Sequence, residues 1–96
     1  MKFTANYDFF WKYFTRNDIQ TESFILYQTL LYIHRVQKLR NPLHLTEKYV
    51  MYRSKLSYIE YNSAKKDLIN RDMIKIVSCT RKGSIGFLLT EHRRWR

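Results

Sequence analysis

Apolar positions repeat at helical spacing as far as Leu68 and then alternate with polar ones from Met73 to Leu89, a change of period that predicts helices followed by a hairpin. The longest helical stretch runs from Ile19 to Leu39. It opens near Asp18 or Thr21 and stops before Asn41-Pro42, because the residue before a proline disfavours helix and proline cannot continue one. Within it Phe24, Ile25, Leu26, Leu30, Leu31, Ile33 and Val36 occupy more than one face, with Tyr27 and Tyr32 between them. A helix apolar nearly all round needs cover on several sides. Upstream, Tyr7, Phe10, Trp11 and Phe14 fall at i, i+3, i+4 and i+7, an aromatic stripe for a short helix capped near Asn6. Phe3, Phe9 and Tyr13 are left over once that face is buried.

Downstream, a strand-like piece at Leu43–Leu45 runs into Thr46, an N-cap residue followed by about two turns of helix that Ser54–Ser57 breaks. A second helix starts at Ser57. Tyr61, Ala64 and Leu68 share its apolar side, and Asn62, Ser63, Lys66 and Asn70 lie on the other. After Asp72 come two strand-like runs, MIKIVSC and SIGFLLT, joined through Thr80-Arg81-Lys82-Gly83-Ser84. Both glycines of the chain, Gly83 and Gly86, fall in or beside this joint, where a tight hairpin needs a residue tolerating positive φ.

A short strand, two helices and a hairpin with a basic tip, spread over Leu45 to Thr90, resemble the winged helix-turn-helix family. More loosely they resemble the small winged-helix proteins that phages and mobile elements use in gene regulation or replication. The resemblance covers about half the chain and is a fold pattern, not a signature motif. It implies an α+β fold, a helical core with a two-stranded β wing, preceded by the short aromatic helix. Residues 1–18 would form the aromatic arm, 19–90 the winged-helix domain and 91–96 a basic tail, with 57–71 as recognition helix and 80–84 as wing. Two positions depart from the family: Asp72 stands where many relatives carry glycine before the strand, and the turn at Ser54-Lys55 also lacks glycine.

Ninety-six residues support a single hydrophobic core and leave little room for a large cleft. The formal charge of +10 is unevenly placed. Through His34, three basic residues (Lys2, Lys12, Arg16) balance three acidic ones (Asp8, Asp18, Glu22); from Arg35 onward fifteen basic residues face five acidic ones, so 15 − 5 accounts for the entire +10. Such asymmetry points to a polyanionic partner. Lysine and arginine on phosphates supply affinity, and side chains on a recognition helix read base edges. The resemblance therefore implies that Tyr58, Asn62, Ser63 and Lys66 lie on the readable face, with Asn62 suited to adenine and Lys66 to guanine or phosphate. Lys65 and Glu60 flank that face. Lys48, Arg53 and Lys55 would grip the backbone, Arg81 and Lys82 would reach from the wing, and Arg93, Arg94 and Arg96 would extend the track.

The tyrosines open another reading in which single-stranded DNA stacks on Tyr49, Tyr52, Tyr58, Tyr61 and Trp95, which are interleaved with Lys48, Arg53, Lys55 and Lys65. Trp95, between arginines, is either a stacking platform or an anchor of the tail against the domain. A third reading is a module that docks another protein. The stripe Tyr7, Phe10, Trp11 and Phe14 caps the core of the monomer or forms a homodimer or partner interface, since aromatic residues favour interface cores.

Catalysis needs a constellation that the chain does not offer. His34, His44 and His92 have no carboxylate or cysteine at a recognisable spacing, zinc would need about four Cys or His ligands, and no Gly-rich phosphate loop is present. The expectation is a binding protein and not an enzyme, with no cofactor and no metal. The single cysteine, Cys79, excludes an internal disulfide and reads as a small residue packed in the sheet of an intracellular, cytoplasmic protein. No stretch has the order of a signal peptide, and no apolar run nears the roughly 18 residues a membrane span needs.

Overall fold

Side-chain caps decide where the helices of the C-terminal half begin. In the computed structural model, which describes residues 11–16, 19–36, 43–80, 83–90 and 95, Thr46 has extended backbone and its Oγ1 accepts the Tyr49 N–H at 3.2 Å. Ser57 does the same for the next helix, accepting the Glu60 N–H at 3.2 Å, while Glu60 Oε1 accepts the Ser57 N–H at 2.9 Å and completes a capping box. The described elements run in the order α1 (residues 11–16), α2 (Thr21–Val36), β1 (Leu43–Thr46), α3 (Glu47–Ser54), α4 (Tyr58–Asn70), β2 (Ile74–Cys79) and β3 (Ser84–Leu89). The expected extension of α2 to Leu39 lies outside the described residues.

The three strands form one antiparallel sheet in the order β1-β3-β2. The chain is thus an α+β protein whose four described helices accompany a three-stranded sheet, a layout compatible with the winged-helix expectation. The hairpin is not a free two-stranded wing. Leu43 and Leu45 are buried while His44 and Thr46 face out, and β1 places them opposite Phe87 and Ile85 on the central strand. Strand pairing there satisfies backbone groups that burial would otherwise leave without partners. Gly83, at φ 82°, turns the hairpin, and its carbonyl accepts the Glu47 N–H at 3.0 Å, which ties the hairpin to the start of α3.

Tyr61, Ala64 and Leu68 of α4 enter the core, as their spacing predicts, beside Leu26, Tyr27, Leu30 and Ile33 of α2 and Ile74, Phe87 and Leu89 of the sheet. α3 and α4 cover one side of α2. The aromatic N-terminal segment covers another, but in a different phase from the expected stripe. Tyr13, expected to be left over, is buried; Trp11, expected on the buried stripe, is 55% exposed, and Phe14 packs on Phe24 with ring centroids 4.5 Å apart. The rest of the cover comes from the far end of the chain. Trp95 stands edge-on to Tyr13 and Tyr27, at 5.2 and 5.5 Å, and its Nε1 donates to the Thr90 carbonyl at 3.3 Å. Of its two expected roles, the geometry is that of the anchor.

The alternation of β2 breaks at Val77. A bulge between Ile76 and Ser78 shifts the register and sets Cys79 opposite the buried Ile85, yet as the last residue of the strand Cys79 is exposed and its expected burial does not occur. The turns lacking glycine are nevertheless left-handed, with Lys55 at φ 64° and Asp72 at φ 60°. The Lys55 N–H still closes α3 on the Met51 carbonyl at 2.9 Å. Among the described residues no helix is long and apolar enough to cross a membrane.

Candidate nucleic-acid interface

Successive residues of a helix are rotated by about 100°, so burying Tyr61, Ala64 and Leu68 turns Ile59, Asn62, Ser63, Lys66 and Asn70 of α4 away from the core. Among the described residues Ile59 is the most exposed of the large apolar ones, at 80%, and sits in the N-terminal half of that outer face. Sequence reasoning passed over it. Its signal was positional, since it lies about two turns before Lys66 and opposite the core set; its apolar character suggested burial instead. Tyr58 is 71% exposed at the same end. Ser63 and Lys66 are exposed as expected, whereas Asn62 is half-buried and its Nδ2 donates to the Tyr58 carbonyl at 3.0 Å. Glu60 is held in the capping box at the start of the helix.

A polar clamp fixes α4 against α3. Glu47 Oε2 accepts the Tyr61 hydroxyl at 2.6 Å and Lys65 Nζ at 3.0 Å, and the same ammonium lies 5.2 Å from the centre of the Tyr61 ring. Burial alone would raise the Glu47 carboxyl, but its bonds to Tyr61 and Lys65 and the lysine charge outweigh that and hold it below the ordinary 4.5. Burial, reinforced by the carboxylate, pushes the Tyr61 phenol far up, so it stays a donor at any working pH. The clamp gives Lys65 a charge partner within the fold, a different position from Lys66 one residue on. A second tie runs to α2: Ser23, fully buried, donates to Asp67 Oδ2 at 2.7 Å while Arg71 Nε donates to Oδ1 at 3.0 Å.

The expected backbone contacts separate in space. Lys48 is exposed on α3. Arg53 and Lys55 instead sit at a cleft between α2 and α3, with the Arg53 guanidinium 5.6 Å from the Tyr32 ring centre and Lys55 Nζ 5.2 Å from that of Tyr52. Tyr49 packs partly against the core, and Tyr61 is within it, so neither ring is exposed for stacking as those of Tyr52 and Tyr58 are. Arg81, Lys82, Arg93, Arg94 and Arg96 lie outside the described residues, as do Tyr7 and Phe10 of the expected partner interface. Among the described residues no three His, Cys, Asp or Glu side chains come together as a metal site. No protein-family model, curated protein or solved structure matches the chain.

Proposed function

We propose that this protein binds duplex DNA as a winged helix-turn-helix, with α4 as the helix that enters the major groove, in a regulatory or replication-accessory role. The observation that carries the reading is the outer face of α4. It is polar and cationic at Ser63, Lys66 and Asn70, has an exposed isoleucine at 59, and belongs to a helix that the Ser57 box caps and the Glu47 clamp ties to α3. The order of elements, the β1-β3-β2 sheet and the concentration of the whole +10 charge after His34 support the same reading. On such a helix Lys66 takes a guanine edge or a phosphate, and Ile59 offers apolar contact to a thymine methyl. Lys48 takes a backbone phosphate, and Lys65 acts chiefly on α3.

The test is a titration of the chain with matched duplex and single-stranded oligonucleotides at about 50 and 200 mM salt. Duplex affinity falls steeply with salt, and Lys66→Ala lowers the slope by about one phosphate contact or relaxes discrimination between sites by about 1–3 kcal/mol. Ile59→Ala weakens preference for thymine-containing sites with little change in slope. Absence of binding to either form, with no salt dependence, removes nucleic acid and leaves the charge to serve an acidic protein partner.

A further inference from the structure

A cleft of about 410 Å³ opens between α2 and α3, lined by Gln28, Thr29, Tyr32, Tyr52, Arg53 and Lys55. Among the described residues no acidic side chain lines it. Its two tyrosines are 53% and 69% exposed even though a cation stands over each ring. Thr29 commits its hydroxyl proton to the Ile25 carbonyl at 2.7 Å and keeps only acceptor capacity, while the Gln28 amide can both donate to and accept from the edge of a planar heterocycle. Lys55 holds its place on the rim at φ 64°, a conformation that a lysine adopts at an energetic cost.

We infer that this cleft binds one unpaired nucleotide, the base against the tyrosine rings and the phosphate on Arg53 and Lys55. Each part of the lining has a use in that occupant. The volume suits a base with its sugar and phosphate, which falls in the size range of small-ligand sites. A base within a duplex is already stacked on both faces, so only an unpaired one can offer its ring to Tyr52 or Tyr32. An acidic peptide would engage the two cations and leave the two rings without a role. The inference does not depend on α4 docking in a duplex groove, since Tyr52 and Arg53 lie on α3 and Gln28 and Tyr32 on α2. The base and phosphate can come from a free nucleotide or from a strand, and the two sources are separable.

The experiment is an NMR shift titration of the full chain with thymidine monophosphate, a thymidine tetranucleotide, thymidine, inorganic phosphate and an acidic tetrapeptide. The nucleotide shifts resonances of Gln28, Tyr32, Tyr52 and Arg53, and thymidine and phosphate each bind at least about tenfold more weakly, as the loss of one half of the contacts requires. Tyr52→Leu, at an exposed position that leaves the core intact, weakens nucleotide binding by about tenfold or more. A tetranucleotide that binds tighter than the mononucleotide marks a strand as the source; equal affinities mark the free nucleotide. Phosphate or the acidic peptide binding as well as the nucleotide, an unchanged Tyr52→Leu, or no binding at all overturns the inference. Failure here is distinct from failure of duplex binding. Lys66→Ala acts on the duplex titration and Tyr52→Leu on this one.

Discussion

The α3–α4 pair and the aromatic end of the molecule are held together by opposite means. Between α3 and α4 the contacts are few, polar and directional, centred on one carboxylate oxygen that accepts from Tyr61 and Lys65. At the other end Phe14 packs on Phe24, and Trp95 stands between Tyr13 and Tyr27, with centroid separations from 4.5 to 5.5 Å. Apolar area stabilises without fixing an angle, whereas hydrogen bonds to one atom fix an angle while contributing about 1 kcal/mol each. The aromatic end therefore contributes stability, and the clamp sets the pose of α4 against α3.

The largest test of this division is Tyr27→Ala. The ring is fully buried and edge-on to Trp95, so its loss should cost about 3–5 kcal/mol in urea denaturation, a large share of the roughly 5–15 kcal/mol typical of a domain. Trp95→Ala, only partly buried, should cost about half as much. The two losses should fall short of additive by about 1 kcal/mol, because each removes the same ring pair. Additive losses would mean that Trp95 stabilises through Tyr13 and its bond to Thr90 and not through the Tyr27 ring.

What was legible in the sequence divides along the same line. Thr46, Ser57 and Gly83 act within a few residues of themselves, so local chemistry identified the starts of α3 and α4 and the hairpin turn before any tertiary contact was known. The outer face of α4 followed from the spacing of Tyr61, Ala64 and Leu68. Contacts between distant segments were not legible: Trp95 with Tyr13, Lys65 with Glu47, β1 with β3, and the cleft between α2 and α3. The phase of the aromatic stripe failed for the same reason, since all its candidate faces were apolar and only the position of Trp95 and Phe24 selects among them. Ser78 shows a related limit, because a bulge preserves composition while moving a residue that alternation would place inside to the outer face.

The clamp gives an intermediate effect. Glu47→Ala removes the acceptor from the buried Tyr61 hydroxyl and the charge from Lys65, and should cost about 1–3 kcal/mol. The pH dependence has a definite sign. Because the folded carboxyl titrates below the ordinary 4.5, its contribution is fully present above that value and is lost as pH falls through the folded one. A melting series from pH 7 to 3 should lose stability over this acid range in the parent, and Glu47→Gln should flatten that limb. If the comparison holds, Glu47→Gln also weakens duplex binding beyond its effect on stability, while Trp95→Ala weakens binding only where the protein unfolds.

The smallest effect distinguishes strain that serves a site from strain that merely closes a turn. Lys55 and Asp72 both occupy the left-handed region, where a side chain costs roughly 1–2 kcal/mol and glycine none. Aspartate tolerates that region because its short side chain can bond locally, whereas lysine has no such compensation. Glycine at 55 also loses more chain entropy on folding, so Lys55→Gly should gain a net of about 0.5–1 kcal/mol, and Asp72→Gly less or nothing. The gain at 55 should carry a penalty elsewhere, because the same change strips a cation from the cleft beside Tyr52. A Lys55→Gly variant that melts higher and binds thymidine monophosphate more weakly than the parent would identify the strained lysine as the cleft's phosphate contact. One that melts higher with unchanged nucleotide affinity would leave Arg53 as the sole cation that matters there.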